Sequence, residues 1–476
     1  MFRGISSRCW REWIGVILIF LLAFTIYFSI FRRNLLITGV DGPYYLIQVQ
    51  SLLGNGVLVY GDPPLAFYLF AFFSLLVGDM TLGIELAVSL FCALSTIPVY
   101  FLIRRVTGKV YGGYFAMLLM IFSATFIRMM SDFMKNAVGI LFLNLFIYSL
   151  YNLTLSEKGY KTTILAITFL LLNGFTHILD FCTAILFLAI YSTITILSSK
   201  EKIIFMKKLS VIVLSLLAFI ILTATFLPFY FTDYIKIIRF FEDISETSEG
   251  GLTSITVPRL IPFPKHGPPL PMSWLTLALI STLGFIITIY EWRRGRRRQF
   301  SLILTITFMA LTFGFPLIPM AWLWRLMLME FIPTAIILGY GLAKLEVILD
   351  VFRVRESSVR AFVILVITGL VLSPFIMQTI SIIRFIKPTI DYATYLDLKE
   401  MNNLIPPDSV IIAPFPLKYW VQYLNRAEVV GRPSRDLWES YSHVLIIIRK
   451  GMPMPRGAES IFIGKSIMLV ELPKRH

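Results

Sequence analysis

The stretch "ITGVDGPYYLIQVQSLL" (37–53) puts a carboxylate, Asp41, just past the first apolar run of a very apolar chain. An acid held there can take a proton from an incoming nucleophile. The competing reading is a loop Asp closing an Asx-type turn with Gly42 and Pro43. Four further places carry ionisable groups at span ends or inside spans, where such groups are candidates for function. "FIRMMSDFMKNAVG" (126–139) crowds Arg128, Asp132, Lys135 and Asn136 into a short outer loop. On a helix, Arg128/Asp132 and Asp132/Lys135 are i,i+4 and i,i+3 neighbours. The group therefore either satisfies itself as ion pairs or offers its cations to a phosphate headgroup. "NGFTHILD" (173–180) sets His177 and Asp180 three apart, as a structural pair or as part of a site. "AWLWRLMLMEF" (321–331) places Arg325 at the mouth of a span between tryptophans, to snorkel or to bind phosphate, with Glu330 deeper and in need of a partner. "FFEDISETSEGG" (240–251) gives Glu242, Asp243, Glu246 and Glu249 to a long outer loop, as solvated acids or as a substrate cover.

The elements that must position these groups are membrane spans. Of the 476 residues 57% are hydrophobic and only 15% charged, with a mean hydropathy of +0.79. A soluble domain carries about 25% charged residues. Apolar runs of roughly 20 residues, each long enough for a bilayer core of about 30 Å, recur from residue 13 to residue 380. The run after Trp13 is too long for a signal-peptide core and has no small-residue cleavage site. The net charge of +15 is not pooled on one face. It sits in short loops such as "EWRRGRRRQ" (291–299) and "KEKIIFMKK" (200–208), the positive-inside pattern, so it reports topology and gives no reason to expect nucleic acid. The three cysteines are far apart and show neither a disulfide framework nor metal spacing.

"PPLAFYLFAFFSLLVG" (63–78) decides the orientation. If it spanned, Arg104, Arg105 and Lys109 would emerge outside and every later basic loop would invert. Lying in the outer interface, it leaves all basic loops inside. The expected spans are then 13–31, 81–103, 110–127, 137–154, 162–177, 180–199, 209–229, 272–290, 300–321, 326–343 and 361–380, eleven in all. The N-terminus lies inside, and the five polar places lie outside. The tail is different in kind: "TYLDLKEMNNLI" has helical spacing, while "VIIAPF", "EVV", "HVLIIIR" and "SIMLVEL" read as short β-branched strands. The fold class is thus an all-α polytopic membrane protein, residues 1–380, with a small extracytoplasmic α/β module, residues 381–476. A transporter would hold its polar groups near the midplane on broken helices in two similar halves, and neither feature is visible.

Span order and four motifs resemble the GT-C superfamily of integral-membrane glycosyltransferases over roughly residues 10–345. The motifs are Asp41 in "VDGPYYL", "DPPLAFYL" (62–69), "RMMSDFMKN" (128–136) and "WRLMLMEFIPTAIILGYGL" (324–342). They look like those of protein O-mannosyltransferases and lipid A aminoarabinose transferases. The resemblance implies an inverting transfer from a polyprenyl-phosphate (dolichyl-type) sugar donor to a glycan, lipid or protein acceptor at the outer face of a cell membrane. Asp41 would be the catalytic base, with Arg128, Lys135, His177 and Arg325 on the donor phosphate. Asp132, Asp180 and Glu246 would support them, and Asp41 and Asp132 could share a divalent metal, Mg or Mn. Oligosaccharyltransferase subunits depart from this chain: their second acid two residues after the first is here Met134, and their Trp-Trp-Asp-Tyr-Gly motif is absent. "DISETSE" is similar to their Ser-Glu loop. Transfer of a single sugar or simple glycan is the favoured reading. An oligosaccharyltransferase-like protein, a lipid or glycan transporter, and a non-catalytic binder of lipid-linked sugar are the alternatives.

Overall fold

The computed structural model describes residues 7–155, 160–198, 202–234, 238, 270–351, 356–425 and 427–473. Two compact units divide the chain. One comprises Met1–Ile30, Tyr60–Leu69 and Leu86–Phe385; the other comprises Phe31–Val59, Phe70–Glu85 and Ile386–His476.

Ahead of the tail, the described elements are all helices. The long apolar helices are α1 (Ser7–Phe31), the pair α4 (Met80–Leu94) and α5 (Thr96–Thr107), α8 (Met134–Leu153), α10 (Ile178–Ser198), α11 (Lys202–Phe226), α12 (Leu270–Arg293), α15 (Phe331–Val351) and α16 (Ser357–Ile383). Between them lie α2 (Gly42–Asn55), α3 (Leu65–Val77), α6 (Val110–Ile121), α7 (Ala124–Asp132), α9 (Tyr160–Thr176), α13 (Arg297–Phe313) and α14 (Met320–Met327). Among the described residues eight stretches are long and apolar enough to cross a membrane, or nine if the bent pair α6–α7 counts as one. The expected eleven are therefore not reached by length. The stretches 162–177 and 300–321 form α9 and α13, each 17 residues. At 1.5 Å per residue they reach only about 26 Å, short of the roughly 30 Å core. The stretch 63–78 is helical as α3, whose 13 residues reach only about 20 Å.

Two packing devices set up the site. First, α6 and α15 cross closely on small residues. A Cβ on Gly112 would lie 2.7 Å from the Ala343 Cβ, and one on Gly339 would lie 3.0 Å from the Gly112 carbonyl oxygen. Only glycine lets the two backbones approach so far. Second, α6 and α7 meet at a 50° bend over Phe122 and Ser123. Ser123 caps α7, its Oγ accepting from the Phe126 N–H at 3.2 Å. The Thr379 hydroxyl of α16 donates to the Phe122 carbonyl at 2.8 Å, satisfying an acceptor left over at the end of α6.

The second unit contains α2, part of α3 and the tail. The tail adds α17 (Tyr392–Met401), α18 (Leu417–Leu424) and α19 (Leu437–Ser440) to β1 (Ser409–Ile412), β2 (Glu428–Val430), β3 (His443–Arg449), β4 (Glu459–Ile463) and β5 (Ile467–Glu471). The sheet order is β2-β1-β3-β5-β4. β1 runs parallel to β2 and β3, while β5 runs antiparallel to β3 and β4. β1 is buried at all four positions, as expected of a continuous apolar run at the centre of a parallel set. The buried Asp397 of α17 fixes the β4–β5 hairpin, accepting from the N–H groups of Lys465, Ser466 and Ile467 at 3.0, 2.6 and 3.2 Å. Three elements were not legible in the tail sequence, β4, α18 and α19.

Candidate active site

The bend at Ser123 turns the stretch around Arg128 into a helix. It is not the outer loop its sequence suggests. Every residue of α7 is buried, including Arg128 and Asp132. The chain breaks again at Phe133, whose backbone (φ −129°, ψ 63°) separates α7 from α8. The two candidate ion pairs are thereby split. Arg128 Nε pairs with Asp132 one turn on, as the i,i+4 spacing requires. Lys135 lies beyond the break, at the start of α8, and its ammonium pairs with Asp62, the acid of the "DPPLAFYL" motif. The same ammonium lies 5.9 Å from the Phe67 ring centroid. Lys135 and Asp62 are both buried, so each needs the other: separating a buried pair by removing one partner costs about 3–5 kcal/mol.

Asp180, fully buried in the first turn of α10, is approached from two sides. Oriented with its nitrogen toward Asp180, the Asn136 amide donates to both carboxylate oxygens at 2.6 and 3.0 Å. His177 Nδ1 lies 3.4 Å from Asp180 Oδ2. Gly139 makes room for the carboxylate, because a Cβ there would stand 2.1 Å from Asp180 Oδ2. Arg325, on α14, joins the group through Phe133. Its guanidinium is 5.4 Å from the Phe133 ring centroid and 5.6 Å from that of Trp324, and the two rings are 5.2 Å apart. Arg325 itself is exposed.

Arg128 and Asp132 on α7, Lys135 at the start of α8, His177 and Asp180 at the start of α10 and Arg325 on α14 thus flank the α7–α8 break, directly or through Asn136 and Phe133. Asp62 and Asn136 are the members that sequence reasoning did not assign. The signal for Asp62 was its place before two prolines in a motif already singled out. Glu246, with Glu242, Asp243 and Glu249, lies outside the described residues. Glu330 keeps one carboxylate oxygen, Oε2, buried without a hydrogen-bond partner among the described residues.

Asp41 belongs to the second unit. It holds the N-cap position of α2 with φ −95° and ψ 5°, yet its side chain makes no capping hydrogen bond, so the Asx-turn reading does not account for it. The helix starts instead on Pro43 and on the Tyr45 N–H bonding back to the Asp41 carbonyl at 3.1 Å. Tyr45 is buried against Phe70, while Tyr44 meets the Tyr419 ring of α18.

Among the described residues no three His, Cys, Asp or Glu side chains come together, and Asp132 already holds the Arg128 guanidinium.

Residues 61–225 match the profile of the dolichyl-phosphate-mannose-protein mannosyltransferase family. No curated protein matches the chain in sequence. The fold is similar to that of the Archaeoglobus fulgidus oligosaccharyltransferase in its apo form, with a TM-score of 0.66 at 11% identity over 92% of this chain and 69% of that one. The complex of the same organism's oligosaccharyltransferase AglB with an inhibitory peptide and a dolichol-phosphate matches at 0.64, with 12% identity over 93% and 70%. ArnT from Cupriavidus metallidurans matches at 0.58 in its apo state, with 10% identity over 96% of this chain and 97% of that one. Bound to undecaprenyl phosphate, it matches at 0.53. Residues 61–225 thus match a mannosyltransferase family profile, and the fold is similar to those of an archaeal oligosaccharyltransferase and of ArnT. The matched stretch carries Asp62, Arg128, Asp132, Lys135, His177 and Asp180.

Proposed function

We propose that the protein transfers a sugar from a polyprenyl-phosphate carrier to an acceptor at the extracytoplasmic membrane face, inverting the anomeric carbon. One observation carries this reading: three cations, Arg128, Lys135 and Arg325, converge on the α7–α8 break of a fold whose relatives are seen with dolichol-phosphate and undecaprenyl phosphate. In such a transfer the acceptor oxygen forms a bond to the anomeric carbon as the bond from that carbon to the phosphate oxygen breaks. The electron pair leaves with the lipid phosphate, and the acceptor proton goes to a carboxylate.

Charge grows on the departing phosphate, so cations fixed beforehand stabilise the transition state more than the ground state. Arg128 and Lys135 are held by carboxylates and by burial, which spares the cost of ordering them during reaction. Arg325 is exposed and reaches the site over an aromatic ring, the arrangement of a cation that moves onto its ligand. His177 and Asp180 steady the far side of the phosphate site through Asn136. Asp41 is assigned the proton. The acceptor is a glycan, a lipid or a protein.

A second reading has support in the 0.66 match to an oligosaccharyltransferase: a glycan carried on lipid goes to a peptide. One assay separates the two. Purified protein is incubated with radiolabelled sugars on polyprenyl phosphate, with lipid-linked oligosaccharide, and with peptide and glycan acceptors. Label moving from a polyprenyl-phosphate monosaccharide supports the proposal. Label moving only from lipid-linked oligosaccharide to peptide supports the second reading, and movement from neither overturns both.

A further inference from the structure

The second unit contains a groove of about 1020 Å³. Arg33, Lys387, Arg449 and Lys450 line it, and Asp391 is the one acidic residue among its lining groups, leaving a clear excess of positive charge. Asp391 is already committed, because its carboxylate caps α17 by accepting from the Thr394 N–H at 2.7 Å. The groove's place along the chain is informative. Arg33 follows two residues after Phe31, where α1 ends, and Lys387 follows four residues after Ile383, where α16 ends. A backbone parallel bridge, Gly39 to Pro388, ties these two exits together. Cations so close to the ends of two spans stand at the depth of lipid headgroups. Around the basic residues the groove is edged with exposed apolar side chains: Leu35 is 81% exposed, Phe415 63% and Met452 54%. A soluble ligand gives such side chains nothing to do, whereas acyl chains do.

We propose that this groove binds the phosphate headgroup of an anionic phospholipid, with its acyl chains against Leu35, Phe415 and Met452. Arg33 and Arg449 suit the phosphate oxygens as planar donors, and Lys387 and Lys450 add point charge. The groove shares no lining residue with the donor-phosphate cluster, and it requires neither the sugar chemistry nor Asp41.

The test uses the full chain in phosphatidylcholine nanodiscs containing one-tenth of a photoreactive phosphatidylglycerol. Labelling is read on the peptides around residues 412–417 and 446–452. Each cation near a membrane surface is worth about fivefold in anionic lipid binding. Lys450→Gln should therefore reduce labelling of these peptides about fivefold, and Lys387→Gln with Lys450→Gln about 25-fold. Labelling at the positive-inside loops should stay constant, which separates the groove from the chain's general attraction for anionic lipid. Lys450 is exposed, so the single variant decides the question even if the double variant folds poorly. Equal labelling by a photoreactive phosphatidylcholine overturns the proposal, as does unchanged labelling in Lys450→Gln. Excess glycerol 3-phosphate should compete weakly, since it lacks the acyl chains. Displacement of the lipid by an acidic oligosaccharide would instead make the groove a glycan subsite and overturn the lipid assignment.

Discussion

Lys135 and Asp62, 73 residues apart in sequence, form a buried ion pair that ties the start of α8 to the segment leading into α3. One pair therefore serves two purposes, and mutation can separate them. Lys135→Ala should strand the Asp62 carboxylate and lower stability by about 3–5 kcal/mol. Asp62→Asn combined with Lys135→Ala removes both charges and should recover most of that stability, yet binding of polyprenyl phosphate should stay weak. Arg325→Ala, which loses an exposed cation over Phe133, should leave stability nearly unchanged and weaken the same binding by about 1.5–3 kcal/mol. Thermal unfolding in detergent and equilibrium binding of the lipid phosphate check these outcomes. Restored binding in the Asp62/Lys135 double variant would make the pair purely structural.

The short helix α3 bears on the orientation of the whole chain. Its 13 residues are too few for a bilayer crossing, and Arg104, Arg105 and Lys109 follow the next span. A reporter fused after Gly78 should read as external, and one fused after Lys109 as cytoplasmic. The reverse at both sites would put the basic loops outside and remove the phosphate cluster from the face proposed for it.

What the sequence showed, and what it hid, follows from the range of each signal. Spans and basic loops were legible because hydropathy and charge act locally and add up over 20 residues. Arg128 and Asp132 were legible as a pair because a helix fixes i,i+4 neighbours. Lys135 was not, since its partner is set by the break at Phe133, and nothing in "SDFMKN" announces a break. Asp62 was visible as a motif residue without a role, because a contact across 73 residues leaves no local trace. β4, "ESIFI", was hidden by its half-exposed pattern, and α18 by aromatic residues that suit strands as well. The eleven expected spans also show that a run of apolar residues does not reveal where a helix will bend or stop short.

In the tail module, Asp391 supplies a pH-dependent contact. Hydrogen bonds from the Thr394 side chain and backbone hold its carboxyl below the ordinary aspartate value. A depressed folded value means that the stabilisation is fully present above the unfolded value, about 3.9, and is lost as pH falls through the folded one. Protection of the first-turn amides of α17, measured against their intrinsic exchange rates, should therefore fall on acidification below about pH 4. Asp391→Asn retains a good cap and should remove that acid sensitivity, while Asp391→Ala should speed exchange at every pH, costing about 0.5–2 kcal/mol. Identical acid profiles for the wild type and Asp391→Asn would assign the sensitivity to another group.

Asp41 carries the chemistry in the proposed transfer, and its local structure makes the test clean. The residue starts α2, but its carboxylate forms no capping bond, and the turn is secured by Pro43, the backbone bond from Tyr45 and the packing of Tyr45 on Phe70. Asp41→Asn keeps the shape and the hydrogen-bonding reach and removes the capacity to take a proton, so the variant should fold and bind donor as the wild type does. General-base help is worth typically about 10²–10⁴-fold, and transfer should fall by at least about a hundredfold. The loss should appear in turnover at saturating donor, with donor affinity unchanged, because the proton moves only during bond formation. Asp132→Asn gives the contrast: it removes the Arg128 partner, so its effect should fall on donor binding and stability. If Asp41→Asn turns over normally while Asp132→Asn is inactive with donor still bound, the base is on α7. If both variants keep full turnover, proton transfer does not run through either carboxylate and the mechanism proposed for this site fails.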